Sequence, residues 1–196
     1  MLKQIASINA GYPFRGKIPE VYDSTVIAVQ MRDISLPDGV NWVDCITTKL
    51  TGKRDPDYLL EGDILVAGRG NHNYAVLVDI KKANETLGST VEAVASPHFF
   101  VVRVKHKEVL PEFVAWLLNQ PYCQRYFEQS SEGTLTKSIR RSVLEDTPVV
   151  IPPLAKQQTI VALAKTINKE QRLMQQLIQN GERTMNAIAN DLFNKE

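Results

Sequence analysis

The 196-residue sequence has only two cysteines and three histidines. Cys45 and Cys123 lie far apart, with no cysteine or histidine at metal-ligand spacing, and they suit unpaired thiols in a reducing compartment. His72, His98 and His106 are too scattered to imply a metal site or the base of a nucleophile. The sequence therefore has no pattern typical of a disulfide framework or a catalytic centre, and we expect no metal and no cofactor.

Long apolar runs and an excess of one charge are also absent. No run approaches the roughly 18 apolar residues of a membrane span, and residues 1–5 do not lead into a signal peptide, so we expect a cytoplasmic protein without membrane contact. The net charge is +1; residues 156–196 carry six basic and four acidic residues, which leaves 17 basic and 18 acidic residues in 1–155. Any nucleic-acid binding must therefore come from a local basic patch or from partner subunits.

Short runs rich in β-branched residues, separated by glycine, proline and aspartate, predict a strand-rich first part of the chain. The strands are predicted at residues 25–31, 40–46, 64–67, 74–78, 91–95 and 99–104. Helical spacing then predicts helices at 111–118 and 122–127, followed by a short last strand at 147–151. These elements indicate an α+β fold built on a compact, mostly antiparallel sheet or open barrel.

One long helix is predicted from Gln157 to Phe193, about 37 residues and roughly 55 Å in length. Along it, ten positions alternate spacings of four and three, the heptad pattern by which one helix lies along another. These positions are Ile160, Ala164, Ile167, Gln171, Met174, Ile178, Gly181, Met185, Ile188 and Leu192. Gln171 and Gly181 are poor core residues. The alternative is an amphipathic helix that folds back on its own domain.

Pro152 and Pro153 divide the chain, because they prevent helix immediately upstream and favour extended backbone. We therefore expect a globular domain of residues 1–151 and a second unit of residues 152–196, formed by the diproline joint and the long helix. A helix of this length exceeds what a domain of this size can cover, so part of it should project and need a partner.

Two stretches are polar and basic enough to suggest nucleic-acid contact. Residues 68–70 are Gly-Arg-Gly but lack the further glycines and the following helix of a nucleotide-binding loop. The side chains able to contact bases or phosphates are Arg69, Asn71, His72 and Asn73 in the first stretch, and Lys137, Ser138, Arg140 and Arg141 in the second. A solvated loop is the alternative for each. Residues 103–107 are interpreted as a strand end with ordinary surface charge.

Residues 119–122, Asn-Gln-Pro-Tyr, resemble the Asn-Pro-Pro-Tyr signature of amino-methyltransferases. Gln120 replaces the first proline, the stretch follows a helix, and no glycine-rich cofactor loop precedes it. We therefore interpret these residues as a helix cap and joint, and we expect a non-catalytic chain.

The start of the long helix resembles the specificity subunit of type I restriction-modification systems. Pro152-Pro153-Leu154, Gln157-Gln158 and Ile160-Val161 are similar to the family's Pro-Pro-Leu, Glu-Gln and Ile-Val, although Lys156 and Gln157 stand where Glu is usual. Residues 8–15, 29–34, 59–65, 113–119 and 133–139 supply supporting similarity, so the resemblance covers nearly the whole chain.

The resemblance implies one target recognition domain, residues 1–151, followed by a spacer helix, and a DNA-reading module without its own chemistry. A full subunit of that family has two recognition domains and two long helices, whereas this chain has one of each. We therefore expect a homodimer paired through Ile160, Ala164, Ile167, Met174, Ile178, Met185, Ile188 and Leu192. The implied partners are double-stranded DNA and modification methyltransferase subunits, with the restriction translocase subunit as a further candidate.

Major-groove loops are the expected DNA readers. The residues predicted to contact bases or backbone are Arg15, Lys17, Arg69, Asn71, His72, Asn73, Lys137, Ser138, Arg140 and Arg141. The alternative functions are a protein–protein interaction module with a coiled-coil helix and no DNA readout, and a methyltransferase.

Overall fold

The computed structural model describes residues 1–52, 55–70, 72–133 and 136–193. Short 3-10 turns occupy Leu2–Gln4 and Met31–Asp33. The strands are β1 Ala6–Ala10, β2 Val26–Val29, β3 Ile34–Ser35, β4 Gly39–Val40, β5 Ile46–Thr48, β6 Ile64–Ala67, β7 Ala75–Leu77, β8 Glu92–Ala95 and β9 Phe99–Val104. The helices are α1 Ile80–Leu87, α2 Pro111–Leu118, α3 Pro121–Gln129, α4 Arg141–Glu145 and α5 Leu154–Phe193.

The main sheet has four antiparallel strands in the order β1-β9-β6-β7. A second sheet has the order β5-β2-β8, in which β2 and β8 are parallel, and β3 pairs with β4 in a small hairpin. Successive strand residues point to opposite faces of a sheet. Ile64 and Val66 accordingly pack with the helices α2, α3 and α4, while Leu65 and Ala67 pack toward the second sheet. The main sheet therefore has apolar side chains buried on both faces.

Two predicted strands differ from the structure, and one helix was not predicted. Residues 40–46 are not one strand: β4 ends at Val40 and β5 begins at Ile46, and Asn41 Nδ2 donates to Asp44 Oδ2 at 2.7 Å in the turn between them. Residues 147–151 form no strand; instead Thr147 accepts a hydrogen bond from the Leu2 N–H. The helix α1 was not predicted.

Helix α5 begins at Leu154, directly after the diproline, and its first turns pack against the body of the protein. Gln157 is fully buried there: its Oε1 accepts from the Leu110 N–H at 2.9 Å, and its Nε2 donates to the carbonyls of Glu108 and Pro152 at 2.8 Å each. Val161 is the next buried residue on the same face. The base of the long helix is therefore fixed by a buried amide.

Within the described residues, no helix combines the length and the apolar character needed to cross a membrane.

Candidate nucleic-acid interface

One end of the main sheet gathers most of the polar loops. Strand β9 lies between β1 and β6, with Ala10 opposite Phe100 and Ala67 opposite Phe99. The ends of β1 and β6 and the start of β9 therefore lie at the same end of the sheet. We call this end of the sheet the loop end; among the described residues it consists of 11–17, 68–70, 72–74, 96–98 and 136–140.

The loops at this end lie directly against one another. The Gly11 N–H donates to the Phe99 carbonyl at 2.9 Å, and the Gly68 N–H donates to the His98 carbonyl at 2.7 Å. A Cβ on Gly68 would lie 2.9 Å from the Phe100 ring, so the close approach at that position requires glycine. The main-chain path of residues 68–70 is thus set by the turn that precedes β9.

The two polar stretches of the sequence are joined through their backbones. Arg69 and Ser138 form an antiparallel bridge, in which the Gly70 N–H donates to the Lys137 carbonyl at 2.9 Å and the Ile139 N–H donates to the Gly68 carbonyl at 3.0 Å. Residues far apart in sequence, 68–70 and 137–139, therefore form one surface. No local pattern could have revealed this pairing.

The predicted contact residues differ in exposure. Arg15, Lys17, Arg69, His72, Arg140 and Arg141 are exposed, and Lys137 and Ser138 are half-buried. Asn71 lies outside the described residues. Asn73 is buried, and its Nδ2 donates to the Ala67 carbonyl at 2.7 Å. Its side chain therefore holds the loop in place and does not face solvent.

Three of the predicted cations already have carboxylate partners. Lys137 pairs with Glu128 at 3.1 Å, Arg140 with Glu132 at 2.8 Å and Arg141 with Glu145 at 2.7 Å. None of the three pairs is buried: the Arg140–Glu132 pair is exposed, whereas Lys137 and Glu145 are half-buried. Exposed ion pairs contribute only about 0–1 kcal/mol each, so a phosphate could replace the carboxylate at little cost. Arg141 differs from the other two cations because its partner, Glu145, lies on the same short helix, α4.

Aromatic and imidazole groups add to the surface. The rings of His72 and Tyr74 stack with their centroids 5.3 Å apart and an interplanar angle of 22°. His98, which the sequence did not suggest as a reader, is exposed in the turn between β8 and β9 and lies between the loops that follow β1 and β6. Its position follows from the strand order, which a single sequence does not display.

The cysteines lack the environment of a nucleophile. Burial is the main cause that raises the pKa of the Cys45 thiol to about 12, with the nearby Asp33 carboxylate adding to it. Burial likewise raises the pKa of Cys123 to about 11. A reactive cysteine needs a lowered pKa, so neither thiol is activated.

A second candidate surface lies along α5. Its heptad positions Ile160 and Ala164 are half-buried, whereas the later apolar positions are exposed. They are Ile167, Met174, Ile178, Met185, Ile188 and Leu192, between 43% and 70% exposed. We call these eight residues the seam. Val161 and Arg172 face the body, and the seam residues Ala164 and Ile167 also lie on the side of α5 that faces α2. The helix therefore leaves only the later part of its apolar face, from Met174 onward, uncovered by its own domain.

A groove of about 1030 Å³ separates α5 from α2 and the β3–β4 hairpin. Gln171 lines this groove, and Arg172 crosses it to pair with Asp38 at 3.3 Å. Gly181 does not line the groove, and a Cβ there would meet nothing within 4 Å. The groove thus explains a polar residue at heptad position 171 in the single chain, whereas no neighbouring atom explains the glycine at position 181.

Comparison with known proteins identifies the class. The chain belongs to the type I restriction modification DNA specificity domain family, whose model matches residues 1–182. A comparison with curated proteins gives no match.

The structure is similar to three solved chains of type I systems. The HsdS subunit from Thermoanaerobacter tengcongensis matches with a TM-score of 0.61 and 18% identity, over 95% of this chain and 46% of that one. A chain from a structural study of complex assembly and conformational transition of the type I R-M system matches with a TM-score of 0.68 and 17% identity, over 99% of this chain and 47% of that one. The S subunit from M. genitalium matches with a TM-score of 0.57 and 14% identity, over 98% and 44%. The α+β fold with a long C-terminal helix is therefore shared, and this chain spans about half the length of each.

Proposed function

We propose that the chain is the non-catalytic DNA sequence-specificity subunit of a cytoplasmic type I restriction-modification complex, and that residues 1–151 read half of a bipartite site. The observation that carries this proposal is the backbone pairing of residues 68–70 with 137–139. This pairing supports a common surface for Arg69, His72 and Arg140 at the loop end of the main sheet. Family membership supplies the kind of ligand, double-stranded DNA.

Roles follow from the chemistry of the side chains. An exposed arginine such as Arg69 can bind guanine O6 and N7 in the major groove, a contact that contributes about 1–3 kcal/mol of discrimination. Lys17 and Arg140 are suited to phosphate oxygens, which position the domain without reading sequence. With 17 basic and 18 acidic residues before residue 156, the domain alone should bind DNA weakly.

The remaining partners follow from α5. The part of the seam from Ile167 to Leu192 is apolar and exposed, which suits a second copy of the same helix. Two copies would supply the two domains and two helices that the half-length of this chain leaves incomplete, and their symmetry would make the DNA site a symmetric interrupted sequence. Methyltransferase subunits, and then the restriction translocase, would dock on the paired helices.

The test is to map methylated bases in a genome that expresses the methyltransferase with variants of this chain. The double variant Arg69→Ala, His72→Ala should change the DNA sequence at which bases are methylated or abolish methylation. Lys105→Ala with Lys107→Ala is the matched control, since it removes basic side chains from the opposite end of β9 and should leave the sites unaltered. Unchanged sites in the first variant would remove the loop end from the reader. Methylation that never depends on the chain, together with a flat response to DNA and salt, would favour an interaction module instead.

A further inference from the structure

The joint between α2 and α3 holds the final residues of the loop that follows β6. Asn119 ends α2, and its Oδ1 accepts from the Ala75 N–H at 3.0 Å while its Nδ2 donates to the Ala75 carbonyl at 2.7 Å. The same Nδ2 donates to the Ala115 carbonyl at 2.9 Å. Strand β7 is at the edge of the sheet, so Asn119 pairs with both outward peptide groups of Ala75 as a neighbouring strand would.

A second amide acts two residues earlier in the loop. Gln124 Nε2 donates to the Asn73 carbonyl at 3.0 Å and to the Leu118 carbonyl at 2.8 Å. Asn73 in turn donates from its own buried side chain to the Ala67 carbonyl. Residues 73–75 are therefore tied by three side-chain amides to β6 and to the α2–α3 joint.

The exposed His72 lies between these ties and the backbone bridge on the other side. Residues 68–70 are fixed by 137–139, and residues 73–75 are fixed by the amides. His72 is next to a tied residue, and it stacks on Tyr74, which lies between two of them. Hydrogen bonds to base edges need donor–acceptor distances of about 2.7–3.2 Å, so a shift of the loop by 1 Å or so would break them.

We propose that Asn119 and Gln124 are positioning residues for DNA specificity: they touch no DNA, and they set where His72 and Tyr74 stand by clamping residues 73–75. This inference rests on the proposed function and extends it from the reading side chains to a joint on the far side of β7. The amide chemistry is essential, because each residue must donate to a carbonyl, and Asn119 must also accept.

The test uses isosteric changes in the assembled methyltransferase. Asn119→Asp keeps the acceptor for the Ala75 N–H, but it loses the amide N–H donors and sets a carboxylate against the Ala75 and Ala115 carbonyls. Gln124→Glu likewise replaces the amide donor by a carboxylate that faces the Asn73 and Leu118 carbonyls. Gln120→Glu is the matched control, because Gln120 Nε2 donates to the Trp116 carbonyl of the preceding helix α2, at 2.8 Å, and not to residues 73–75. Methylation rates are measured on the cognate site and on sites with one base pair changed.

The expected result is a fall of about tenfold in the ratio of cognate to altered-site rates for Asn119→Asp and Gln124→Glu, the discrimination that one base contact supplies. Gln120→Glu should keep the wild-type ratio. If Asn119→Asp does not fold, Gln124→Glu and Gln124→Met decide alone, since they leave the Ala75 pairing intact. An unchanged ratio, or an equal fall in rate on every site, would overturn the inference. A wild-type complex without any site preference would instead overturn the proposed function itself.

Discussion

Arg103 shows how one residue can secure a segment far from it in sequence. Its guanidinium binds both oxygens of Asp63 at 2.8 and 2.7 Å, and it also reaches Asp57 at 3.1 Å and the Tyr58 carbonyl at 3.0 Å. The hydrogen bonds to Asp63 raise the pKa of Arg103. Asp63 is 1% exposed and also accepts from the Leu60 N–H. This network fastens the turn before β6 to β9, so Arg103 is not the ordinary surface charge that its basic neighbours suggest.

Replacing Arg103 should therefore be costly. Arg103→Met leaves the buried Asp63 carboxylate without its charge partner, and we expect the free energy of unfolding to fall by roughly 3 kcal/mol. Urea denaturation followed by circular dichroism measures it. Arg140→Met is the control, because its pair with Glu132 is exposed and should contribute less than about 1 kcal/mol. Equal effects of the two changes would contradict this assignment.

Residue type alone suggested Arg69 and His72 as DNA contacts, because cations and polar rings in a loop are chemically able to contact DNA, and both are exposed at the loop end. Residue type could not show that the Asn73 side chain turns inward to donate to a carbonyl. The inward turn of Asn73 depends on Ala67, the last residue of β6, and so on the folded sheet.

At the scale of elements, α5 depends on a side chain that the sequence shows only as a polar residue at the helix start. Gln157 satisfies Leu110, Glu108 and Pro152, all beside the base of α2. A carboxylate at this position could accept from Leu110 but could not donate to the two carbonyls. An amide is the group that satisfies all three partners.

Loss of the Gln157 amide should therefore lower the stability of the protein strongly. Gln157→Leu should lower the free energy of unfolding by roughly 2–4 kcal/mol, because it leaves buried peptide groups without hydrogen bonds. Gln158→Leu, at the exposed neighbouring position, should change it by less than about 0.5 kcal/mol. Thermal and urea unfolding of the two variants measure the difference, and a tolerant Gln157→Leu would mean that water can replace the amide.

Elements with a strong local pattern could be predicted: β6 and β9 from their β-branched runs, α2 from Pro111 and helical spacing, and α5 from its heptads. Their partners could not, because pairings such as Val26 with Glu92 in the parallel β2–β8 ladder join distant segments. Helix α1 was missed although Asp79 caps its start, accepting from the Lys82 N–H, and Gly88 ends it in the left-handed conformation. Those two residues are the pattern that could have revealed it.

At the scale of the whole molecule, the seam leaves six large apolar side chains exposed along α5. In the proposed dimer, Met174, Ile178 and Met185 would be buried between two copies, whereas the face with Val161 and Arg172 remains with its own body. Each helix would contact its own domain and its partner at the same time. The two-domain arrangement would then arise by association of identical chains.

A charge in the seam should prevent that association. Ile178→Glu is expected to weaken self-association by about 100-fold or more, because pairing would bury the carboxylate in an apolar interface. Asn180→Glu adds the same charge on the solvent side of the helix and should have little effect. Sedimentation velocity at tens of micromolar protein, with and without the methyltransferase, measures both. A wild-type chain that stays monomeric in both conditions would exclude the paired arrangement.

The bridge between Arg69 and Ser138 has a consequence for how the recognised sequence can change over time. The bridge is made by peptide groups, so it places almost no demand on the side chains at positions 69 and 138. Under the proposed function, substitutions there would alter the DNA contacts while the scaffold stays constant, whereas an insertion or deletion would slip the register of both stretches. Point substitution is therefore the route to a new target that preserves the scaffold, and we expect the lengths of these two stretches to be kept.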